Sequence, residues 1–196
     1  MVIIPIKSFA MGKGRLSGLV EPETRARLSR ALAGHVAARV ATTGRNPLVI
    51  TGDLEVAQWA EASGYATLDD LGEGLSAAAR AGASLAMDRS EPWLVVHSDL
   101  PWLTVDDLEA MARPLEEGRS VIAPSADGGT SAIGSRGEFT FHFGPMSFHR
   151  HLVDLEDALV VARSGLLLDI DAPGDLRAAT KSPRGAWLDE TLLTPG

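Results

Sequence analysis

The chain has 196 residues, 26 of them acidic and 18 basic, for a formal net charge of -8. An acidic balance with no basic stripe gives no reason to expect a nucleic-acid binder, and the lack of cysteine excludes disulfides and thiolate metal sites. A small anionic substrate stays compatible, because it needs only local cations or a bound metal.

The N-terminal run MVIIPIKSF is short and broken by Pro5 and Lys7, and no later stretch approaches the roughly 20 apolar residues of a membrane span. A soluble, cytoplasmic protein is expected. Continuous apolar runs at Val2–Ile6, Leu48–Thr51, Trp93–Val96, Val121–Ala123 and Leu166–Leu168 read as strands buried on both faces. Between them lie helical patterns. In Glu21–Ala41, Leu28, Leu32, Val36 and Val40 form one stripe, with Pro22 in the first turn. Asp53–Ser63 has Asp53 as its cap and Gly64 as its stop. Gly74–Met87 is alanine-rich. Thr104 and Asp107 make a capping box, with Asp in place of the usual Glu, ahead of Leu108–Met111. Pro145–Arg163 reads as a helix ended by Gly165, and Pro173–Thr180 as a last short one. After Lys181, two prolines predict a segment, 181–196, laid over the surface. Strand and helix alternate throughout, so residues 1–196 read as one α/β domain: a three-layer sandwich with helices on both faces of a mostly parallel sheet.

Ligands in such sheets bind beyond the carboxyl ends of the strands, which directs attention to the residues after Ile6, Val96, Ala123 and Leu168. In LLLDIDAPGDL, Asp169 and Asp171 share a face if the strand continues to Asp171. Asp99, in WLVVHSDLP, ends another strand. Three converging carboxylates beside a phosphate cleft would hold Mg²⁺, a metal that takes oxygen ligands. Singly, Asp171 also suits a cap for the helix near Pro173, and Asp99 suits the turn before Pro101.

After the first strand, IPIKSFAMGKGRLSG offers three cations, Lys7, Lys13 and Arg15. Gly12 and Gly14 would let the backbone turn amides toward a triphosphate; a solvated loop is the alternative. The loop is not a Walker motif, and Ser17 in place of a third glycine argues against dinucleotide binding. A second anion site is expected where FHFGPMSF places Gly144 at an N-cap, Pro145 at the first helical position and Ser147 in the first turn. The turn Asp127–Thr130 adds glycines and a hydroxyl. Two cradles imply two phosphorylated reactants, although a helix start and a hairpin turn explain each cradle alone. His142, placed on a strand between Phe141 and Phe143, His149 and His151 read as structural or solvent-facing rather than as a zinc site. Trp93, Trp102 and Trp187 read as packing residues.

The phrases IPIKSFAMGKGRLS, GLSAAARA, SDLPWLT, DGGTSA, FGPMSFHRHL and LLLDIDAPGDL resemble, in this order, the small guanylyltransferases of deazaflavin coenzyme F-420 biosynthesis, which act on 2-phospho-L-lactate or phosphoenolpyruvate. The resemblance runs from Val2 to about Ala179. It implies a nucleotide-diphospho-sugar transferase-like fold, similar to the molybdenum-cofactor guanylyltransferases. It implies that Asp99, Asp169 and Asp171 hold Mg²⁺. It assigns the GTP phosphates to Lys7, Gly12, Lys13, Gly14 and Arg15, with Lys13 and Arg15 catalytic, and the acceptor phosphate to Thr130, Gly144 and Ser147. Ser76 lies in the segment facing the nucleoside; Ser76 and Ser131 stand where the family commonly has asparagine. The implied partners are GTP and a small phosphorylated carboxylic acid, with a homodimer possible. Competing readings are a molybdopterin or sugar-phosphate nucleotidyltransferase and a regulatory nucleotide-binding module without catalysis. The first would be expected to carry a Gly-Gly-x-Ser-x-Arg-Met-Gly-type loop where Pro5–Lys7 stand; the three aspartates argue against the second.

Overall fold

In β1 (Val2–Pro5), alternate side chains leave on opposite faces: Val2 and Ile4 join one apolar cluster, Ile3 another. The same division runs through β2 (Pro47–Thr51), β4 (Trp93–Val96) and β5 (Val121–Pro124), which accounts for apolar runs without polar alternation. Among the described residues of the computed structural model (1–70, 74–155 and 157–193), these strands join β3 (Ala66–Asp69), β6 (Thr130–Ser135) and β7 (Leu159–Val160) in a seven-stranded sheet of order β3-β2-β1-β4-β6-β5-β7. Only β6 runs against its neighbours.

The two clusters define three layers. On one face α1 (Pro22–Thr42), α2 (Leu54–Ala62) and α4 (Val105–Glu116) press Val36, Val40, Val56 and Met111 onto the sheet. On the other lies α3 (Leu75–Asp88), with Ala78, Ala79, Ala83 and Ala86 inward. Its approach depends on Gly82, where a Cβ would lie 2.6 Å from Ile50 Cδ1 and 2.7 Å from Ile3 Cγ2. Two of the expected caps are present. Asp53 accepts from the Val56 amide at 3.1 Å, and Thr104 and Asp107 cap each other's ends reciprocally. Trp93 is fully buried, and Trp187 stacks on His35 with its ring nitrogen donating to Pro101 O.

Four expectations are corrected. Leu166–Leu168 is not a strand: a one-turn helix, α6 (Ser164–Leu167), carries Leu166 into the core, and the chain then crosses the ends of the sheet, tied by Ala126 N to Leu167 O and by Ile170 N to Asp99 O. An apolar run this short has no period to separate helix from strand. The helix expected over 145–163 is only α5 (Ser147–Asp154). Met146, not Gly144, is its N-cap, so Pro145 lies ahead of the helix and Ser147 opens it; Leu155 turns into the core, and β7 follows. The Phe139–Phe143 stretch is extended but pairs with no strand. Beyond α7 (Pro173–Lys181), the 181–196 segment is no surface tail. A 3-10 turn (Pro183–Gly185) and α8 (Trp187–Leu193) bury Leu188 completely among Leu28, Leu32 and Ile170; residues 194–196 lie outside the described residues. No described helix is long and apolar enough to cross a membrane.

This layout positions the site. From β1 the sheet continues one way through β2 and β3 and the other way through β4. The carboxyl ends of β1 and β4 therefore flank a topological switch point.

Candidate active site

A cleft of about 610 Å³ opens at that switch point. Its apolar walls include Ile6, Met11, Ile50, Leu75 and Ala78; Lys7 follows β1 on one side, and His97 and Asp99 follow β4 on the other. The loop after β1 passes over this mouth and turns at Lys13, which adopts a left-handed conformation (φ 59°) that costs a non-glycine residue about 1–2 kcal/mol. An ion pair holds it there: Lys13 Nζ lies 2.6 Å from Asp99 Oδ2, with the two side chains 9% and 24% exposed. Burial disfavours the charged form of Asp99, but the Lys13 charge and hydrogen bond, with the His97 charge and a backbone hydrogen bond, together offset this and hold the carboxyl below its ordinary range. Asp99 Oδ1 is buried and has no hydrogen-bond partner among the described residues.

Asp169 lies beside this pair on the crossing segment. Burial raises its carboxyl to about 6, and the charge of Asp99 adds to the effect. Asp171, two residues on, is joined instead to Arg15 (NH1 to Oδ2, 2.5 Å) in an exposed pair. It does not cap α7; the Asp175 carboxylate takes the amides of Asp171 and Ala172. Gly12 owes its identity to α1, since a Cβ there would lie 2.4 Å from Ser29 Oγ, whereas Gly14 faces open space.

Beyond Asp169 lies the β5–β6 turn. Asp127 Oδ1 accepts from Ser125 Oγ and from the Gly129 amide, which keeps this carboxyl low. The arm of residues 141–147 leads into α5, and Gly128 O receives the Phe148 amide at its end, docking it on the turn. Thr130 and Ser147 are brought together there, Ser147 Oγ donating to Thr130 Oγ1 at 3.2 Å, and both are buried. Gly144 is exposed at the arm's tip. Ser76, at the start of α3, accepts the Phe143 amide at 3.2 Å and so links the α3 side of the cleft to the arm. Ser131 points inward to the carbonyls of Ala123 and Pro124.

A family described as guanylyl transferase CofC like has a sequence model that matches residues 1–177. The chain is 32% identical to a phosphoenolpyruvate guanylyltransferase of Sphaerobacter thermophilus, over 97% of this chain and 98% of that one. It is likewise 32% identical to a 2-phospho-L-lactate guanylyltransferase of Methanopyrus kandleri, over 89% and 87%. The chain belongs to the CofC-like guanylyl transferase family. In fold it is similar to a structure from Desulfovibrio desulfuricans G20 assigned as a nucleotide-diphospho-sugar transferase, with TM-score 0.79 and 17% identity over 96% of this chain and 93% of that one.

The guanylyl transferase thus gathers its acidic residues differently from the three-carboxylate cage expected. Among the described residues no three His, Asp or Glu side chains converge on one point. The charge of Asp99 does bear on Asp169, and the two fit Mg²⁺: the ion commonly takes one or two carboxylates and completes its shell with water and substrate phosphates, and Asp99 Oδ1, unpartnered among the described residues, is open to it. Asp171 stands at the rim with Arg15.

The metal-free protein should register the strain of this pair. Folded Asp169 keeps its proton up to about pH 6, against 3.8 for a free aspartate. Between these values the folded state binds more protons than the unfolded chain, so the stabilisation present at low pH is lost as pH rises through the window. Relative to Asp169→Asn, the wild type should lose about 2 kcal/mol between pH 4 and pH 7. Urea titrations in chelator check this; parallel curves would place Asp169 in ordinary solvent.

Three groups in the site were missed by sequence reasoning. His97 lines the cleft two residues before Asp99; burial depresses its imidazole, and Nε2 is without a hydrogen-bond partner among the described residues. The period-two rule that pairs Asp169 with Asp171 would have paired His97 with Asp99. The charge of Asp127 bears on both Asp169 and His97, a relation across the fold that no local signal carries. His151 is fully buried behind Thr130.

Proposed function

We propose that the protein transfers GMP from GTP to the phosphate of phosphoenolpyruvate, or of its close relative 2-phospho-L-lactate, and releases pyrophosphate, as a step of coenzyme F-420 biosynthesis. The acceptor's phosphate oxygen attacks the α-phosphorus of GTP, a new phosphorus–oxygen bond forms, and the α–β bond breaks. The nucleophile is already anionic near neutral pH, so no strong base is required. The chemical problem is to bring two polyanions together in line.

The observation that carries this reading is the placement of Lys13, Asp99 and Asp169 between an apolar cleft on one side and the 127–130 turn and its arm on the other. The cleft of Ile6, Ile50, Leu75 and Ala78 takes the nucleoside. Lys7, Lys13 and Arg15 surround the path of the triphosphate. Thr130, Gly144 and Ser147 form the wall for the acid. Asp99 and Asp169 would hold Mg²⁺, which when bound supplies charge neutralisation and a common anchor for the two phosphates. Lys13 then exchanges part of its hold on Asp99 for a phosphate oxygen. Arg15, exposed and paired only at the surface, is free to swing from Asp171 onto the leaving pyrophosphate.

Phosphoenolpyruvate is placed first because the bacterial relative from Sphaerobacter thermophilus carries that name over nearly its whole length. Incubation with GTP, Mg²⁺ and an equimolar mixture of phosphoenolpyruvate, 2-phospho-L-lactate and 3-phospho-D-glycerate, read by mass spectrometry, tests the proposal. The expected product is the guanosine diphosphate diester of phosphoenolpyruvate. Formation of another acid's diester corrects the substrate, and release of no pyrophosphate with any acid overturns the function.

A further inference from the structure

His151, on α5, makes two hydrogen bonds that join the two walls of the acceptor side. Its Nε2 lies 2.8 Å from the backbone nitrogen of His142, on the arm. Its Nδ1 lies 3.0 Å from Thr130 Oγ1, at the start of β6. The ring is fully buried, and Phe139 and Phe143 meet it edge-on at 5.4 and 5.0 Å.

This geometry fixes the tautomer. A backbone N–H can only donate, so Nε2 must present its lone pair, and the ring proton must sit on Nδ1. Nδ1–H therefore donates to Thr130 Oγ1. Ser147 Oγ donates to the same oxygen at 3.2 Å. Two donors occupy both lone pairs of the Thr130 hydroxyl, leaving its own hydrogen for an acceptor outside the trio. A hydroxyl committed to donating is suited to an anionic oxygen. The ring stays neutral, burial holding it down at about 4, so the arrangement persists across the physiological range.

We propose that His151 is the positioning residue of the acceptor pocket: its two ring nitrogens set the spacing between β6 and the 141–147 arm and turn the Thr130 hydroxyl into a donor for the anionic acid. The proposal rests on the reading that the acid binds at Thr130, Gly144 and Ser147. His151 touches no reactant itself and has no role toward GTP, which lies on the other side of Asp99.

The test separates the two substrates. His151→Leu fills the space and loses both hydrogen bonds; His151→Gln keeps an amide able to accept from one side and donate to the other. The leucine variant should raise KM for the acid about 30-fold, the worth of one hydrogen bond to a charged group, while the dissociation constant for GTP changes less than two-fold. The glutamine variant should recover most of the loss. Should the leucine variant fail to fold, Thr130→Val, which keeps the ring and removes only the hydroxyl, should show the same acid-selective rise. An unchanged KM for the acid, an equal loss of GTP affinity, or no difference between leucine and glutamine overturns the positioning role. A wild-type protein inactive with every acid overturns the guanylyl-transfer reading instead, and this role with it.

Discussion

Asp99→Asn is expected to lower kcat/KM for guanylyl transfer by about three orders of magnitude, or about 4 kcal/mol of transition-state stabilisation. The substitution keeps the size of the side chain and removes its charge at the one point where Lys13, Asp169 and an unpartnered oxygen meet. Without that charge the proposed divalent ion would lose a ligand, and Lys13 loses its ion-pair partner. The geometry also predicts a ranking. Asp169→Asn should come close behind, because it removes the second of the adjoining carboxylates. Asp171→Asn should cost only about ten- to a hundred-fold, because this residue is exposed and already paired with Arg15. Steady-state pyrophosphate release, with circular dichroism to show that each variant is folded, provides the comparison. Asp99→Asn within ten-fold of wild type, or Asp171→Asn as damaging as Asp99→Asn, would contradict the two-carboxylate centre.

Lys13→Met should have the second-largest effect, and on two separate readouts. Turnover should fall at least about a hundred-fold, since the proposed function assigns the buried ammonium to the reacting phosphates. The metal-free fold should also weaken. Removing one partner of a largely buried pair leaves Asp99 uncompensated beside Asp169, at a cost of about 2 kcal/mol after allowance for the partial exposure of Asp99. For a chain of this size that is a fall in Tm of about 4–8 °C. Magnesium should then stabilise the variant more than the wild type, because in the variant the ion no longer competes with an ammonium for the same carboxylate. Thermal melts of both proteins with and without Mg²⁺ read this directly. Equal stabilisation of the two would mean that the ion binds away from Asp99.

Much of the scaffold was legible because its signals are local. The apolar runs of β1, β2, β4 and β5, the stripe of α1, the Asp53 cap and the Thr104–Asp107 box each lie within a single element, and each took the expected form. Three strands were not legible. β3 (ATLD) is a half-exposed edge, and β6 (TSAIGS) is built of small residues that pack close between two neighbours, so neither shows a run of large apolar side chains. β7 is only two residues long and fell inside the helix expected over 145–163. Leu166–Leu168 misled because three leucines fit a buried helical turn as well as a strand. At the site, the strand-end rule located Asp99, and the crossing segment brought Asp169 to it. Sequence could not assign partners: Lys13 to Asp99 spans 86 residues and Arg15 to Asp171 spans 156. Those pairings decide which carboxylates adjoin, and so reduce an expected cage of three to a pair with a third at the rim. His151 was passed over because its two bonds, to Thr130 and His142, appear only when α5 folds back on the hairpin.

The most direct measurement is anomalous diffraction from crystals grown with Mn²⁺, a non-hydrolysable GTP analogue and the acid. A peak within bonding distance of both Asp99 and Asp169, shared with oxygens of the nucleotide and acid phosphates, is the predicted result. An ordered ternary complex with no ion at those two carboxylates, or with the ion held elsewhere, would contradict the account.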